Sequence, residues 1–236
     1  MLRNRHFQLD DVEEVKRLIT RHPWATFVSA TTGGLVASHY PVLLDDAGTG
    51  TRTDSRTGAS GDPGGTGIVL LSHFGRPDDT AHELGQHEVL VVVQGPHDYV
   101  SPSWYAPGEL VPTWNHVTAH LWGVPELLDE EENYDALCRL TEHFERGREG
   151  GRDLRQDEAA TRRAARGTRG LRLRVTRFQA KVKLSQNKDP DVVCTVIERV
   201  RAGNPELAAE MRAAHRPAAG SGSTSEGNAA RTVSGR

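Results

Sequence analysis

The chain has 236 residues and is 36% hydrophobic, a length long for one small β-barrel and short for two full domains, so a single core with helical decoration is expected. Its 29 basic and 32 acidic side chains leave a formal charge of −3 and no polycationic surface for phosphate neutralisation, which argues against nucleic acid as a partner. No stretch approaches the roughly 20 apolar residues of a membrane span, and Met-Leu-Arg-Asn-Arg-His lacks the apolar run of a signal peptide, so no membrane partner and a cytoplasmic location are expected.

Asp10 and Asp11 precede Val12, Val15, Leu18 and Ile19, with Glu13 and Glu14 in the first turn and Pro23 beyond the end, the pattern of an amphipathic helix. Residues 24–30 and 35–44 read as a hairpin turning at Gly33-Gly34. His39 lies in the second strand between small residues and beside Pro41, at an edge or bulge where a barrel opens to ligands. A strand histidine of this kind is more often hydrogen-bonded than ligating, and His39 is kept as a secondary candidate for holding a cofactor. Residues 45–67 collapse to Gly, Thr, Ser, Asp and Arg, which predicts a disordered insertion between two strands. Ile68 to Leu71 is a buried strand that gives way abruptly to Ser72-His73-Phe74-Gly75-Arg76, as a strand does at a ligand mouth.

Val89 to Val93 is a β-branched run expected to be a central strand buried on both faces. It leads into residues 94–115, which hold two of the four tryptophans and two of the four tyrosines, Tyr99, Trp104, Tyr105 and Trp114, among Pro96, Pro102, Pro107 and Pro112. Because proline removes a ladder donor, this stretch is predicted to be a shaped loop, either a packing plug or a ligand wall, and not a central strand. Beyond it His116, Thr118, His120 and Trp122 share one strand face by period two. The two histidines would stand ~13 Å apart, too far for one metal ion.

Residues 129–146, acidic at the start and basic at the end, predict a covering helix with Tyr134, Leu137, Cys138 and Phe144 on its apolar stripe. The arginine-rich residues 150–170 read as a solvated helix with paired charges. Leu171, Leu173 and Val175 alternate into a half-exposed strand that continues through Lys181 to Asn187, and two short helices follow at 191–201 and about 205–214. Cys138 and Cys194 fall in helices without a metal spacing and are expected to be buried free thiols. No Gly-x-Gly-x-x-Gly, Walker loop or Gly-x-Ser-x-Gly elbow occurs.

The blocks Gln94-Gly-Pro-His-Asp-Tyr-Val-Ser-Pro-Ser-Trp-Tyr105, Val111-Pro-Thr-Trp-Asn115 and Lys183-Leu-Ser-Gln-Asn187 resemble the signatures of the PaiB family, FMN-binding negative transcriptional regulators with a split β-barrel. The resemblance implies an α+β chain, mainly β in its core: a split β-barrel of the FMN-binding type over residues 1–186, with 129–170 as helical cover. Residues 187–216 would be helices packed on the barrel and 217–236 a disordered tail.

It also implies a homodimer with cofactor near the subunit interface. The family's Asn-Pro-Gln-Trp block is replaced here by Asp78-Asp-Thr-Ala-His82, and Thr113 to Leu128 looks closest to the haem-dependent piperazate synthases. That likeness implies haem b as cofactor, a small amino acid as substrate, and closure of the N–N bond of L-piperazate from N5-hydroxy-L-ornithine. His73 would be the axial iron ligand, with His39, His97, His116 and His120 as alternatives. Tyr99, Tyr105 or His116 would act as general acid, and Arg76, His39, Trp104, Trp114 and Lys183 would line the cofactor. The alternative is an FMN-binding regulator or flavin-dependent reductase, with Lys183 and Arg76 on the phosphate and Trp104 or Trp114 against the ring.

Overall fold

Period-two alternation dominates the chain, and the computed structural model, which describes residues 4–45, 65–105 and 111–216, turns it into one nine-stranded sheet. The strands are β1 (Gln8–Leu9), β2 (Trp24–Thr31), β3 (Gly34–Leu44), β4 (Val69–Gly75), β5 (Val89–Val100), β6 (Thr113–Gly123), β7 (Pro125–Leu127), β8 (Thr168–Arg174) and β9 (Arg177–Lys183). Their order is β1-β9-β6-β5-β2-β3-β4-β8-β7, with every pairing antiparallel.

β8 and β9 follow each other in sequence yet lie near opposite edges, and the two residues between them draw the edges together. The Val175 N–H donates to the Ile68 carbonyl (3.0 Å) and the Thr176 N–H to the Trp122 carbonyl (2.9 Å), stitching this turn to the start of β4 and the end of β6. The sheet therefore curls into a barrel split between β8 and β9.

Inward residues of the curled sheet, among them Phe27, Leu70, Phe74, Leu121, Leu171 and Leu173, form the core. The amphipathic helix α1 (Val12–Arg21) seals one opening with Val15, Leu18 and Ile19, its N-terminus capped by Asp11. α5 (Pro190–Arg201) and α6 (Pro205–Ala214) add Val196, Val200, Leu207 and Met211 to the same core. Arg17 and Arg21 meet Glu210 of α6 at 2.9 and 2.5 Å, and the Arg17 contact outweighs burial and holds that carboxyl below its usual range. α2 (Asp78–Ala81) follows β4, while α3 (Glu130–Glu145) and α4 (Glu158–Ala165) cover the outer side of β4 and β8.

Several expectations need correction. Residues 94–100 are not loop: β5 continues to Val100 beyond the end of its pairing with β2 at Val93, held by β6 alone, and absorbs Pro96 in a register shift between Gln94 and His97. Gly95 sits at this bulge because a Cβ there would stand 2.7 Å from Leu18 of α1. β4 extends two residues past His73 to Gly75. α3 buries Asn133, Ala136, Cys138 and Leu140, so only Cys138 of the expected stripe is fully covered.

Cys194 is exposed on α5 and only Cys138 is buried. Asp45, assigned to the disordered insertion, is buried between Arg139 (2.9 Å) and Arg172 (2.8 Å). Burial would raise its carboxyl, but the two guanidiniums prevail and hold it below the usual range. Residues 46–64 and 217–236 of the expected disordered segments, and Pro107 of the aromatic stretch, lie outside the described residues. Among the described residues no helix is long and apolar enough to cross a membrane.

Candidate functional site

Among the described residues, no helix covers the outer-face rows that run across β3, β2, β5, β6 and β9, whose side chains stay exposed or half-buried. The strand registers set His39, Thr26, Val92, His120 and Gln179 side by side in one row across β3, β2, β5, β6 and β9. Ala37, Val28, Leu90, Trp122 and Arg177 form the next row, with the Arg177 guanidinium 4.0 Å from the centre of the Trp122 ring. The middle of this surface, Val28, Leu90 and Val92, is apolar and only half-buried. Trp24 is 63% exposed at its margin, opposite Pro41. A face of this composition is suited to a planar ligand, a second protein surface, or both.

His73 stands where the bare face meets the helical cover. It pairs with Gly170 on one side, and because the preceding Ser72 pairs with Val42, its neighbour on the other side is Pro41, itself opposite Trp24. Leu71, on the same face of β4, is packed beneath α3 with Leu128 and Ala136. Gly170 lacks a side chain because a Cβ would stand 2.7 Å from the Asn133 amide oxygen. His73 Nδ1 is buried without a hydrogen-bond partner, and burial lowers the pKa so that the imidazole stays neutral. A neutral ring with an uncommitted nitrogen can ligate a metal or bond a cofactor edge.

Behind His73 runs a polar chain inside the barrel. Tyr40 stacks on Phe74 with ring centres 4.1 Å apart and meets His73 edge-on at 6.0 Å. Its hydroxyl donates to Asp78 Oδ2 (2.8 Å) and accepts the Gly75 N–H (3.1 Å). Ser38 also donates to Asp78 (3.0 Å), and these hydroxyls, Tyr40 first, hold the carboxyl below its usual range. His82, completely buried, bridges Ser38 Oγ through Nε2 (3.0 Å) and Ser29 Oγ through Nδ1 (2.8 Å). Because Ser38 spends its proton on Asp78, it accepts from His82 Nε2–H, which leaves Nδ1 to accept from Ser29.

The remaining candidates divide. His116, Lys183 and Trp114 are neighbours on the outer face of β6 and β9, together with Tyr99 and His97 of β5. Trp114 meets the Tyr99 ring at 5.9 Å and the His97 ring at 6.5 Å. Burial, then Lys181, Lys183 and His97, lowers the His116 pKa, and its Nδ1 faces Thr118 Oγ1 at 3.1 Å. Lys183, its pKa lowered by burial and then by Lys181, donates to Thr113.

Tyr105 belongs to the core, with the Lys188 ammonium 4.8 Å from its ring centre, and Trp104, in a 3-10 turn at Pro102–Trp104, packs against the same core. Arg76 follows β4 and donates to the Thr168 carbonyl (3.3 Å). Lys183 and Arg76 thus lie at opposite strand ends with β6, β5, β2 and β3 between them. One chain cannot close both on a single phosphate. His39 is exposed on the bare face.

Two of the three signature blocks meet for a structural reason. Asn115 of Val-Pro-Thr-Trp-Asn is buried and donates to Ser185 Oγ (2.9 Å) of Lys-Leu-Ser-Gln-Asn, with Met211 sulfur at 3.5 Å. Ser185 holds φ at +67°, and Gln186 accepts the Leu184 N–H (2.6 Å) and donates to the Val182 carbonyl (2.7 Å). These residues anchor α5 and α6. Sequence reasoning passed over Trp24, whose one available signal was a large aromatic at the first position of a strand, out of phase with inward Ala25 and Phe27.

A curled antiparallel sheet, split between two consecutive strands and, among the described residues, uncovered by helices across β3, β2, β5, β6 and β9, defines a split β-barrel of the FMN-binding type. The chain belongs to the family described as "Putative FMN-binding domain", which matches residues 1–177. It is 28% identical over 202 residues to the Protease synthase and sporulation protein PAI 2 of Bacillus subtilis, covering 84% of this chain and 87% of that protein. The fold is similar to the FAD and heme binding protein from Mycobacterium smegmatis, with TM-score 0.55 and 20% identity over 83% of this chain and 80% of that one. It is similar also to the flavocytochrome Anf3 from Azotobacter vinelandii, with TM-score 0.55 and 16% identity over 82% and 78% of the two chains.

Proposed function

We propose that this chain binds FMN against the bare outer face of its barrel, as a PaiB-like regulator or flavin-dependent reductase. The observation that carries the reading is the half-buried apolar surface around Val28, Leu90 and Val92, edged by exposed Trp24 and His39, in a member of an FMN-binding domain family. Bound FMN supplies the redox or light-absorbing ring. Trp24 offers it an aromatic wall, His39 and His73 offer polar edges, and Arg76 at the end of β4 offers a charge for its phosphate.

The same face is the surface on which we place the homodimer contact. An apolar centre with a Trp and Arg margin suits a partner surface, and a second copy would keep water from the ring. Direct repression of DNA draws no support from the charge of −3.

A second reading rests on one observation, the buried and uncommitted Nδ1 of the half-buried His73. It fits an axial ligand of haem b, and the reaction would be closure of N5-hydroxy-L-ornithine to L-piperazate with loss of water. Bound haem would supply an electron-rich iron that favours N–O cleavage. The chain's part would be to hold the α-amine against N5 and to protonate the departing oxygen. At a strand spacing of about 4.8 Å, His116 on β6 lies four strands, or ~19 Å along the sheet, from His73 on β4, and Tyr99 on β5 lies three strands, or ~14 Å along it. Either could act as that acid only across a dimer.

Absorbance and light scattering of the purified protein test these readings together. A yellow dimer that takes up FMN stoichiometrically supports the first, and its Trp24→Ala variant should bind FMN at least about tenfold more weakly. A Soret band that His73→Ala abolishes moves the assignment to haem. A colourless protein that binds neither cofactor removes both.

A further inference from the structure

A cleft of about 400 Å³ between α3, α4 and the start of β8 is lined by four arginines: Arg76, Arg162, Arg166 and Arg169. Arg162 is already matched, bonding Glu131 through two nitrogens (2.8 and 2.9 Å) and Glu158 through a third (2.7 Å), and lying 4.3 Å over the Tyr134 ring. The other three have no hydrogen-bonded carboxylate among the described residues, and Arg76 bonds only the Thr168 carbonyl (3.3 Å). Asp79 approaches Arg169 at 3.7 Å and Arg76 at 3.9 Å, beyond hydrogen-bonding distance. Arg169 Nε and Asp79 Oδ1 are both buried without a hydrogen-bond partner, and the Arg166 guanidinium has no partner among the described residues.

On the opposing wall, Asp129 is committed to capping the Glu132 N–H (2.9 Å), which leaves Glu130 as the one uncommitted carboxylate in the lining. Among the described residues, Arg169 and Arg76 meet only a loosely held Asp79 among carboxylates and Arg166 meets none, so the three guanidiniums bring unsatisfied donors to one space. A tetrahedral oxyanion accepts from planar forks in pairs and would satisfy the buried Arg169 Nε. That buried donor costs stability while it stays unfilled.

We propose that this cleft is a binding site for a phosphate group, with Arg166 and Arg169 as its principal donors and Arg76 at its mouth. The proposal deepens the flavin reading, since FMN carries a phosphomonoester, but a free phosphomonoester would present the same chemistry. Neither Arg166 nor Arg169 stood out in the sequence, where both read as part of a solvated helix.

Titration calorimetry of the full chain with inorganic phosphate, FMN and riboflavin separates the possibilities. Wild type is expected to bind phosphate, Arg166→Ala and Arg169→Gln to weaken it at least about tenfold, and Arg166→Lys to recover part of the loss. Arg148→Ala, on the far end of the helical cover, should change nothing. Arg166 is exposed, so its variants should keep the wild-type melting temperature, which removes misfolding as an explanation.

If FMN displaces phosphate and its advantage over riboflavin vanishes in Arg166→Ala, the cleft holds the cofactor's own phosphate. If phosphate binds alongside FMN, the cleft serves a separate phosphomonoester. Phosphate binding that needs Arg166 in a chain with no affinity for FMN upholds the cleft and removes the flavin reading. A wild-type chain that does not bind phosphate, or variants that bind it as wild type does, overturns the proposal whatever FMN does.

Discussion

His73 and His82 lie nine residues apart and serve opposite faces of the same strand region. His82 turns into the barrel, where both ring nitrogens are bonded and its ring meets Phe74 edge-on at 5.1 Å. His73 turns outward, is half-buried, and leaves its buried Nδ1 with nothing to bond. Burial lowers the pKa of both, so titration alone would not separate them. Partnership does. A satisfied imidazole in a closed hydrogen-bond chain is an element of the fold, whereas an unsatisfied one at the border of a bare surface is a group held ready for something else.

The sharpest way to break this comparison is to remove each ring. His82→Ala should open a cavity against Phe74 and strand the hydroxyls of Ser29 and Ser38, at a cost of about 2–4 kcal/mol in urea unfolding. His73→Leu exchanges an unpaired polar ring for an apolar group of similar size and should change stability by less than about 1 kcal/mol. Equal losses in the two variants would mean that His73 is as structural as His82. Asn115→Ala should fall between them, near 2 kcal/mol, because it leaves Ser185 buried without its partner. If that variant instead loses cofactor with no loss of stability, the Asn115–Ser185 contact belongs to the site and not to the scaffold.

These contrasts also explain what could be read from sequence. Alternation placed His116, Thr118, His120 and Trp122 on one face, and the registers put them there, because period two is a local property of the backbone. The helix at 130–145 was legible from its acidic start, and a capping box of Asp129 and Glu132 fixes it. The aromatic stretch misled because a bulge lets a strand pass a proline, and bulges depend on what packs behind them, here Leu18 on Gly95. The division of the site was not legible. Lys183 and Arg76 stand with four strands between them only because β8 and β9 part company at Val175–Thr176, a long-range event with no local signature. The resemblance to the signature blocks was sound, yet two of those blocks tie down the C-terminal helices, so matching them identified the scaffold before the chemistry.

The smallest expected effect sharpens the same comparison through pH. His82 has its pKa lowered from an ordinary 6.5, burial being the main cause, with Asp78 opposing and His87 adding slightly. Above about pH 6.5 the imidazole is neutral whether the chain is folded or not, so it adds no pH dependence. As pH falls through that value the unfolded chain takes up a proton that the folded chain refuses, and stability declines until the lower folded pKa is reached. Asp78 acts in a separate and more acidic window, since its lowered pKa adds stability that is lost only as its own carboxylate protonates. His82→Gln keeps one donor and one acceptor for Ser38 and Ser29 but cannot take the proton. Between pH 6.5 and 5 its unfolding free energy should fall less steeply than that of wild type, by at most one proton, or about 1.4 kcal/mol per pH unit. The half-buried imidazoles of His116 and His120, also lowered by burial first, supply part of the slope that remains. Identical slopes in the two proteins would mean that His82 is protonated to the same extent in both states, which a ring accepting from Ser29 inside the barrel does not permit.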